Sequence, residues 1–310
     1  RAGITGVKTL IDVPAGAHGR QRVIASFDIY ADLDAARSGV HMSRFSQDLE
    51  DALSELAAEH SADVATLALS LGRRVVASQH AERAEVQLRA PFALPRTTPA
   101  SAKATHEFYT AIGRAVVSAS ASRRLIGVEA EGMTACPCAQ GMVADHSRER
   151  LLAEGFSEEQ IARILASMPI ASHNQRGLGT LLVGTEANVE LSTLVEIVEQ
   201  SMSAETYDLL KRPDELFVVN KAHAAPRFVE DVVREMLRYA HDAFDALSGD
   251  TFVWGRQINY ESIHKHDAVA ESGATLAELR RELAGESGVR HTTLEQWLYA
   301  QGAVAAGSPR

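Results

Sequence analysis

A predicted strand runs through Arg124-Leu-Ile-Gly-Val-Glu-Ala-Glu-Gly-Met133 and continues into Thr-Ala-Cys-Pro-Cys138. This pattern places Cys136 and Cys138, the only two cysteines of the chain, at or just beyond the end of the strand. Functional sites are commonly built at such ends. The stretch therefore predicts both a sheet and a candidate site at one of its edges.

Further strands and helices follow in an order that predicts the fold class. Alternation favours strands at 20–32, 84–94, 177–184, 188–191 and 251–258, and apolar spacing favours helices within 46–71, 192–210 and 228–247. The order predicts an α+β fold made of two similar halves. We expect residues 1–135 and 136–310 to form these halves as one continuous unit, with a helical insertion at about 145–168.

Composition bounds the protein's class. With 310 residues, 45% of them hydrophobic, the chain can bury a core. The net charge of -10 and the pI near 5.7 argue against nucleic acid as a partner. No long apolar run or signal-peptide pattern is present, so we expect a cytoplasmic protein without a membrane partner. A disulfide across a single residue would be strained, so both thiols are expected to be reduced.

The Cys-Pro-Cys run leaves two interpretations open. It cannot complete a four-cysteine zinc site, because the chain has no other cysteine. One thiolate with a histidine and a carboxylate is, however, a ligand set for Zn, Fe or Mn that leaves a position for water. The alternative is a pair of small buried residues at the end of a strand.

Histidines mark two further candidate positions. His173 lies in a polar run that precedes a strand, where the alternative is a solvated loop residue. His264 and His266 alternate beside Glu261, so an extended backbone places both imidazoles on one side. That pattern suits proton transfer or metal binding, and the alternative is a polar strand end.

Two charged runs have plain structural explanations as well. The run Lys211–Glu215 is expected at the end of a helix, and such a mixture of charges is typical of a solvated helix terminus. Glu230 and Asp231 begin a predicted helix, where the helix dipole alone favours acids. No glycine-rich phosphate loop is present, so any nucleotide is held differently.

Six runs together resemble the type IB GTP cyclohydrolase family, which includes archaeal Fe(II)-dependent enzymes of pterin synthesis. They occur in the family's order and span almost the whole chain: Gly39–Phe45, Met133–Cys138, Ser172–Gly177, Leu209–Glu215, Pro226–Asp231 and Glu261–His266. The resemblance implies a tunnelling fold with two similar halves of antiparallel sheet and helices. It also implies a homotetramer with active sites between subunits.

The resemblance also implies roles for individual residues. It implies one divalent metal (Fe2+, Mn2+ or Zn2+) per active site, with Cys136, His173 and Glu215 as its ligands. Catalytic roles are implied for Cys138, Glu261, His264 and His266. Glu230 is expected to bind the guanine edge, and the candidates for binding the triphosphate are Arg44, Arg176, Lys211 and Arg212.

The implied reaction is the hydrolysis of GTP. Metal-activated water opens the imidazole ring of guanine at C8, C8 leaves as formate, and a 7,8-dihydroneopterin phosphate forms. Bacterial members suggest the triphosphate, whereas archaeal members share the long insertion after Cys138 and suggest the 2′,3′-cyclic phosphate. The rival interpretations are another tunnelling-fold enzyme, such as a 7-deazaguanine nitrile reductase that needs NADPH, and a non-catalytic metal-binding protein.

Overall fold

The computed structural model describes residues 1–14, 19–33, 39–56 and 63–299. The strands are β1 (Ala2–Pro14), β2 (Arg20–Asp32), β3 (Arg83–Thr97), β4 (Ala104–Ser118), β5 (Ser122–Ala135), β6 (Asn174–Gly184), β7 (Ala204–Glu205), β8 (Phe252–Asn259) and β9 (Ala268–Thr275). The helices are α1 (Met42–Leu56), α2 (Val64–Gln79), α3 (Pro137–Ala153), α4 (Glu158–Ala166), α5 (Leu191–Ser201), α6 (Arg212–Ala224), α7 (Val229–Ala243), α8 (Leu276–Leu283) and α9 (Leu294–Leu298).

All strand pairs are antiparallel and form one sheet in the order β1-β2-β3-β4-β5-β6-β8-β9, with β7 added beside β5. Two strands, a helical pair and two strands make up β1-β2-α1-α2-β3-β4. The same order recurs from β5 to β9, around α5 and α7, with α3, α4 and α6 as additions. The repeat confirms the α+β tunnelling fold of two similar halves. In this order the second half begins with β5, at Ser122. The predicted division between residues 135 and 136 stays a prediction.

One face of the sheet carries the main core. Alternate residues of β3, among them Val86, Leu88 and Phe92, are buried in the same hydrophobic cluster as Leu71 of α2 and Met236 of α7. Period-two alternation in the strands thus meets period-3.6 stripes on the helices. Because this cluster contains residues from both halves, the two halves share one continuous hydrophobic core.

The other face is partly covered by α9. Trp297 stacks on Phe252 of β8 with ring centroids 5.2 Å apart, and the Arg123 guanidinium lies 4.8 Å from the Trp297 ring centre. The Tyr299 hydroxyl donates to Glu85 of β3 at 2.9 Å. Gly184 makes room for the indole, because a Cβ there would lie 2.3 Å from Trp297.

Several predicted boundaries are wrong, for local reasons. The expected strand at 188–191 is not formed, and α5 begins at Leu191. Helix α3 begins at Pro137 rather than near 145, because the Cys136 sulfur accepts the Ala139 N–H and proline is tolerated in a first turn. The helical pair itself is confirmed. The helix predicted at 192–210 ends at Ser201, and strands β1, β4, β7 and β9 have no counterpart among the predictions.

Across the described parts of the chain, every helix is too short or too polar to span a bilayer.

Substitution of Gly184 tests the docking of α9. Gly184→Val places new atoms against Trp297, and such overpacking costs roughly 1–3 kcal/mol of unfolding free energy. Urea unfolding followed by tryptophan fluorescence measures the loss. The control is Gly141→Ala in α3, where a Cβ meets nothing within 4 Å and helix propensity predicts equal or slightly higher stability. Unchanged stability in Gly184→Val would contradict this packing.

Candidate active site

A cavity of about 310 Å³ lies where the second half of the sheet meets the start of α7. The end of β5, the start of β6, the end of β8 and the start of β9 lie around it. They meet there because, in neighbouring antiparallel strands, the end of one strand lies beside the start of the next. Six predicted site residues line it: Cys136, His173, Glu230, Glu261, His264 and His266. They come from four separate sequence runs that only the fold brings together.

Cys136 is held by the backbone on both sides. Its N–H donates to the His173 carbonyl at 3.1 Å, one residue beyond the paired Ala135 and Asn174. Its own carbonyl accepts the Ser172 hydroxyl at 2.6 Å. The half-buried sulfur accepts the Ala139 N–H at 3.4 Å, as an N-cap side chain does. The thiol therefore has a defined direction at the start of α3.

His173 takes part in a short hydrogen-bonded chain. Its Nδ1 lies 3.1 Å from the Gln175 Oε1 and 3.8 Å from a carboxylate oxygen of Glu261. The Gln175 Nε2 lies 3.4 Å from the other Glu261 oxygen and 3.1 Å from the Thr134 hydroxyl. The side chains of His173 and Glu261 are only 14% and 10% exposed. His173, Gln175, Thr134 and Glu261 thus form a largely buried polar cluster beside the more exposed parts of the cavity.

His264 and His266 lie in a bend after β8 rather than in a strand. Their rings nevertheless stack, with centroids 5.1 Å apart and planes at 15°. The His264 ring meets the His173 ring edge-on at a centroid distance of 6.4 Å. The prediction that both imidazoles share a side is correct, although the backbone is not extended.

The first turn of α7 forms the facing wall. Glu230 is exposed and lines the cavity. The preceding Arg227 anchors the turn, because its backbone N–H donates to the Ala135 carbonyl at 3.0 Å and its guanidinium donates to the Gln200 carbonyl at 2.8 Å. The start of α7, including Glu230, therefore borders the same cavity as Cys136.

Two predicted residues do not line this cavity in the single chain. Cys138 is exposed in the first turn of α3, one residue beyond Pro137. Glu215 is exposed on α6. Among the residues that the structure describes, no three Cys, His, Asp or Glu side chains converge as a metal-binding group.

The predicted triphosphate residues are also elsewhere. Arg176 alternates to the opposite face from Gln175 and lies 3.3 Å from Glu131. Arg44 of α1 donates to the Ser78 carbonyl at 2.8 Å. Lys211 and Arg212 are exposed at the start of α6. The single chain does not bring these four cations to the cavity.

Asp214 explains why the run Lys211–Glu215 begins a helix rather than ending one. Its buried carboxylate accepts N–H groups from Ala100, Ser101 and Lys211 at 2.7–2.9 Å, and the Ser101 hydroxyl at 2.6 Å. Burial opposes ionisation, but the hydrogen bonds from Ser101, Lys211 and Ala100 hold the pKa of Asp214 well below its usual range. Asp214 thereby fixes α6, and with it Glu215, to the turn between β3 and β4.

The sequence interpretation missed Gln175, Arg227 and Asn259 as lining residues. Gln175 and Arg227 lie inside two of the runs that carry the family resemblance, and Gln175 is adjacent to the predicted Arg176. Asn259 ends β8 two residues before Glu261, and strand position was its only available signal. Both Gln175 and Asn259 are buried amides at strand ends, where their polar atoms require hydrogen-bond partners.

The sequence of the chain matches a known protein family. A family model described as type I GTP cyclohydrolase folE2 matches residues 1–270. The match includes every residue that lines the cavity. It ends within β9, so α8 and α9 lie beyond it.

Curated relatives match over most of both chains. Proteins named GTP cyclohydrolase MptA are 38% identical over 292 residues in Methanococcus maripaludis strain C5, covering 91% of this chain and 93% of the relative. The one from Methanoregula boonei is 39% identical over 293 residues, covering 92% and 90%. Among solved structures, a uricase from Arthrobacter globiformis covers 94% of this chain and 96% of its own, with a TM-score of 0.47 and 10% identity.

Asp214→Asn tests the anchor of α6. A carboxyl group with a lower pKa in the folded state stabilises the fold above its unfolded pKa of about 3.9, and this contribution is lost as the pH falls through the folded pKa. We expect the melting temperature of Asp214→Asn to be lower than that of the parent at pH 7. The gap should shrink progressively as the pH falls below 4.

The control for this substitution is Asp145→Asn, at an exposed position of α3. Thermal melts across the same pH range should show no gap for this variant. A gap for Asp214→Asn that is independent of pH would contradict the role of its charge.

Proposed function

The chain belongs to the type I GTP cyclohydrolase folE2 family, and we propose that it hydrolyses GTP to formate and a 7,8-dihydroneopterin phosphate. The observation that carries the proposal is the convergence of Cys136, His173, Glu230, Glu261 and the stacked histidines on one cavity. A thiol, imidazoles and carboxylates within one half-buried space are the groups that water activation and proton transfer require.

The donor atoms at the cavity suit a divalent cation. The Cys136 sulfur is aimed by the α3 N-terminus, and the hydrogen bond to Nδ1 of His173 leaves its Nε2 as the ligating atom. We propose Glu215 as the third ligand, reaching this pair in a homotetramer with active sites between subunits. Sulfur, nitrogen and oxygen donors accept Fe2+, Mn2+ or Zn2+. The bound cation supplies Lewis acidity and activates water.

Base recognition falls to Glu230. The guanine N1–H and its exocyclic amine are parallel donors, and one carboxylate accepts both in a bidentate pair. Glu230 stands on the first turn of α7, whose approach is anchored by Arg227. A rigid support of this kind sets C8 of the base at a fixed distance from the reacting groups.

Proton transfer falls to the remaining groups. Two water molecules react in turn at C8, which breaks its bonds to N7 and N9 and releases it as formate, and each of these nitrogens takes up a proton. The ribose carbons then close onto the freed N7 amine with loss of one water, which forms the dihydropterin ring. His264 and Glu261 line the cavity beside His173 and can exchange protons there, with His266 stacked behind. Cys138, on the exposed first turn of α3, is proposed to act in the same steps, and Arg44, Arg176, Lys211 and Arg212 to bind the phosphates in the assembly.

The activity is tested with GTP and Fe2+, Mn2+ or Zn2+ under anaerobic conditions. We expect release of formate and, after oxidation, pterin fluorescence. Mass spectrometry of the pterin distinguishes the triphosphate from the 2′,3′-cyclic phosphate. Cys136→Ala should lose bound metal, whereas Cys138→Ala should keep metal and lose about 10²- to 10⁴-fold in turnover. Absence of formate with every metal would exclude the proposed reaction, and equal metal loss in both variants would exclude the division of roles.

Inosine triphosphate tests the role of Glu230, because it lacks the exocyclic amine. Loss of a hydrogen bond to a charged group costs roughly 1.5–3 kcal/mol, so the parent protein should prefer GTP by about tenfold or more in kcat/KM. Glu230→Gln should reduce this preference. The matched control is Asp231→Asn, since Asp231 bonds the Phe228 N–H and Arg234 instead. An unchanged preference in Glu230→Gln would assign base recognition to another residue.

A further inference from the structure

A buried glutamine connects two of the proposed functional residues. Gln175 is 7% exposed at the start of β6. Its amide oxygen lies 3.1 Å from the His173 Nδ1, and its amide nitrogen lies 3.4 Å from a Glu261 oxygen. Gln175 itself is neither a proposed metal ligand nor a proposed proton carrier.

The chemistry of the neighbours decides which way the amide faces. An ionised carboxylate only accepts hydrogen bonds, so the amide nitrogen must be the group beside Glu261. The amide oxygen therefore faces His173, and an amide oxygen also only accepts. Hence Nδ1 of His173 must carry a proton, and in the neutral imidazole the Nε2 then has a free lone pair.

Thr134 holds the amide in this orientation. Its hydroxyl is fully buried at the end of β5 and lies 3.1 Å from the Gln175 Nε2. A hydroxyl can accept from the amide nitrogen without forcing it to turn. Since β5 and β6 pair Thr134 with Gln175, the sheet register itself places the two side chains together. The pairing of β5 with β6 thus fixes the position of the Gln175 amide between His173 and Glu261.

We propose that Gln175 is a positioning residue that keeps His173 in the Nδ1–H tautomer and holds the Glu261 carboxylate beside it. This arrangement presents the His173 Nε2 to a divalent cation. The inference rests on the proposed function insofar as it assigns His173 as a metal ligand. Free imidazole favours the opposite tautomer, so without Gln175 the ligating nitrogen is protonated in part of the molecules. Hydrogen-bond partners of metal-binding histidines typically contribute 10- to 100-fold to metal affinity.

The direct test is the tautomer of His173 in metal-free protein. Nitrogen-15 NMR of histidine-labelled protein, above the pH at which imidazole titrates, distinguishes a protonated from an unprotonated ring nitrogen. His173→Asn identifies the signals. We expect a protonated Nδ1 and an unprotonated Nε2 in the parent chain. The reverse assignment in the parent protein would overturn the proposal without any variant.

Three variants separate the two contacts of the amide. Gln175→Leu removes both contacts and should mix the tautomers and weaken Zn2+ binding by 10- to 100-fold, measured by competition with a chelator. Gln175→Glu keeps an oxygen that accepts from the His173 Nδ1, so the Nδ1–H tautomer should persist as in the parent chain. It removes the amide N–H that bonds to Glu261, so that contact should be lost. Thr134→Val removes the anchor and should give a smaller loss. Gln47→Leu, at an exposed glutamine of α1, is the control.

The readouts separate this inference from the proposed reaction, because neither the tautomer nor the Zn2+ affinity involves GTP. If the parent protein releases formate but Gln175→Leu leaves the His173 tautomer and the Zn2+ affinity unchanged, the role of Gln175 is refuted and the proposed reaction is not. The expected tautomer and affinity changes without formate release in any chain would refute the reaction alone. If Gln175→Leu fails to fold, Gln175→Glu and the parent spectrum still decide the assignment.

Discussion

The backbone pairing of β5 with β6 is the constraint on which the site depends. The ladder runs through Ala135 and Asn174 and closes with the hydrogen bond from the Cys136 N–H to the His173 carbonyl. A shift of one residue in this register would turn every side chain to the other face of the sheet and separate the thiol from the imidazole. Burial of one face against the helices excludes such a shift, so core packing and site geometry share one cause.

Hydrogen bonds to backbone carbonyls fasten the surrounding helices to this pairing. Arg227 connects the approach of α7 to Ala135, and the Gln140 amide of α3 donates to the His223 carbonyl at the end of α6 at 2.7 Å. Asp214 fixes the other end of α6 to the first half of the chain. Helices α3 and α7 are therefore tied directly to the end of β5, and α6 is tied to it through α3.

Much of the fold and part of the site were predictable because they depend on local pattern. Strand β2 was predicted with its observed bounds, and the insertion was recognised as a helical pair. The grouping of Cys136, His173 and Glu261 followed from the resemblance of separate runs to one family. Strands β1, β4, β7 and β9 were missed for different reasons. The exposed positions of β1 and β9 carry both polar and apolar residues, the second half of β4 is buried on both faces, and β7 has only two residues, so none of them shows simple alternation.

The sequence by itself determined the fold class, the family and the residue types available for chemistry, since these follow from periodicity and from motifs whose order is readable along the chain. Only the tertiary structure decided which of those residues meet. It brings His264 and His266 to Cys136, leaves Glu215 on an exposed helix, and places Gln175 between His173 and Glu261. The physical reason is that a motif specifies neighbours along the chain, whereas contacts between strand ends depend on the register and burial of the whole sheet.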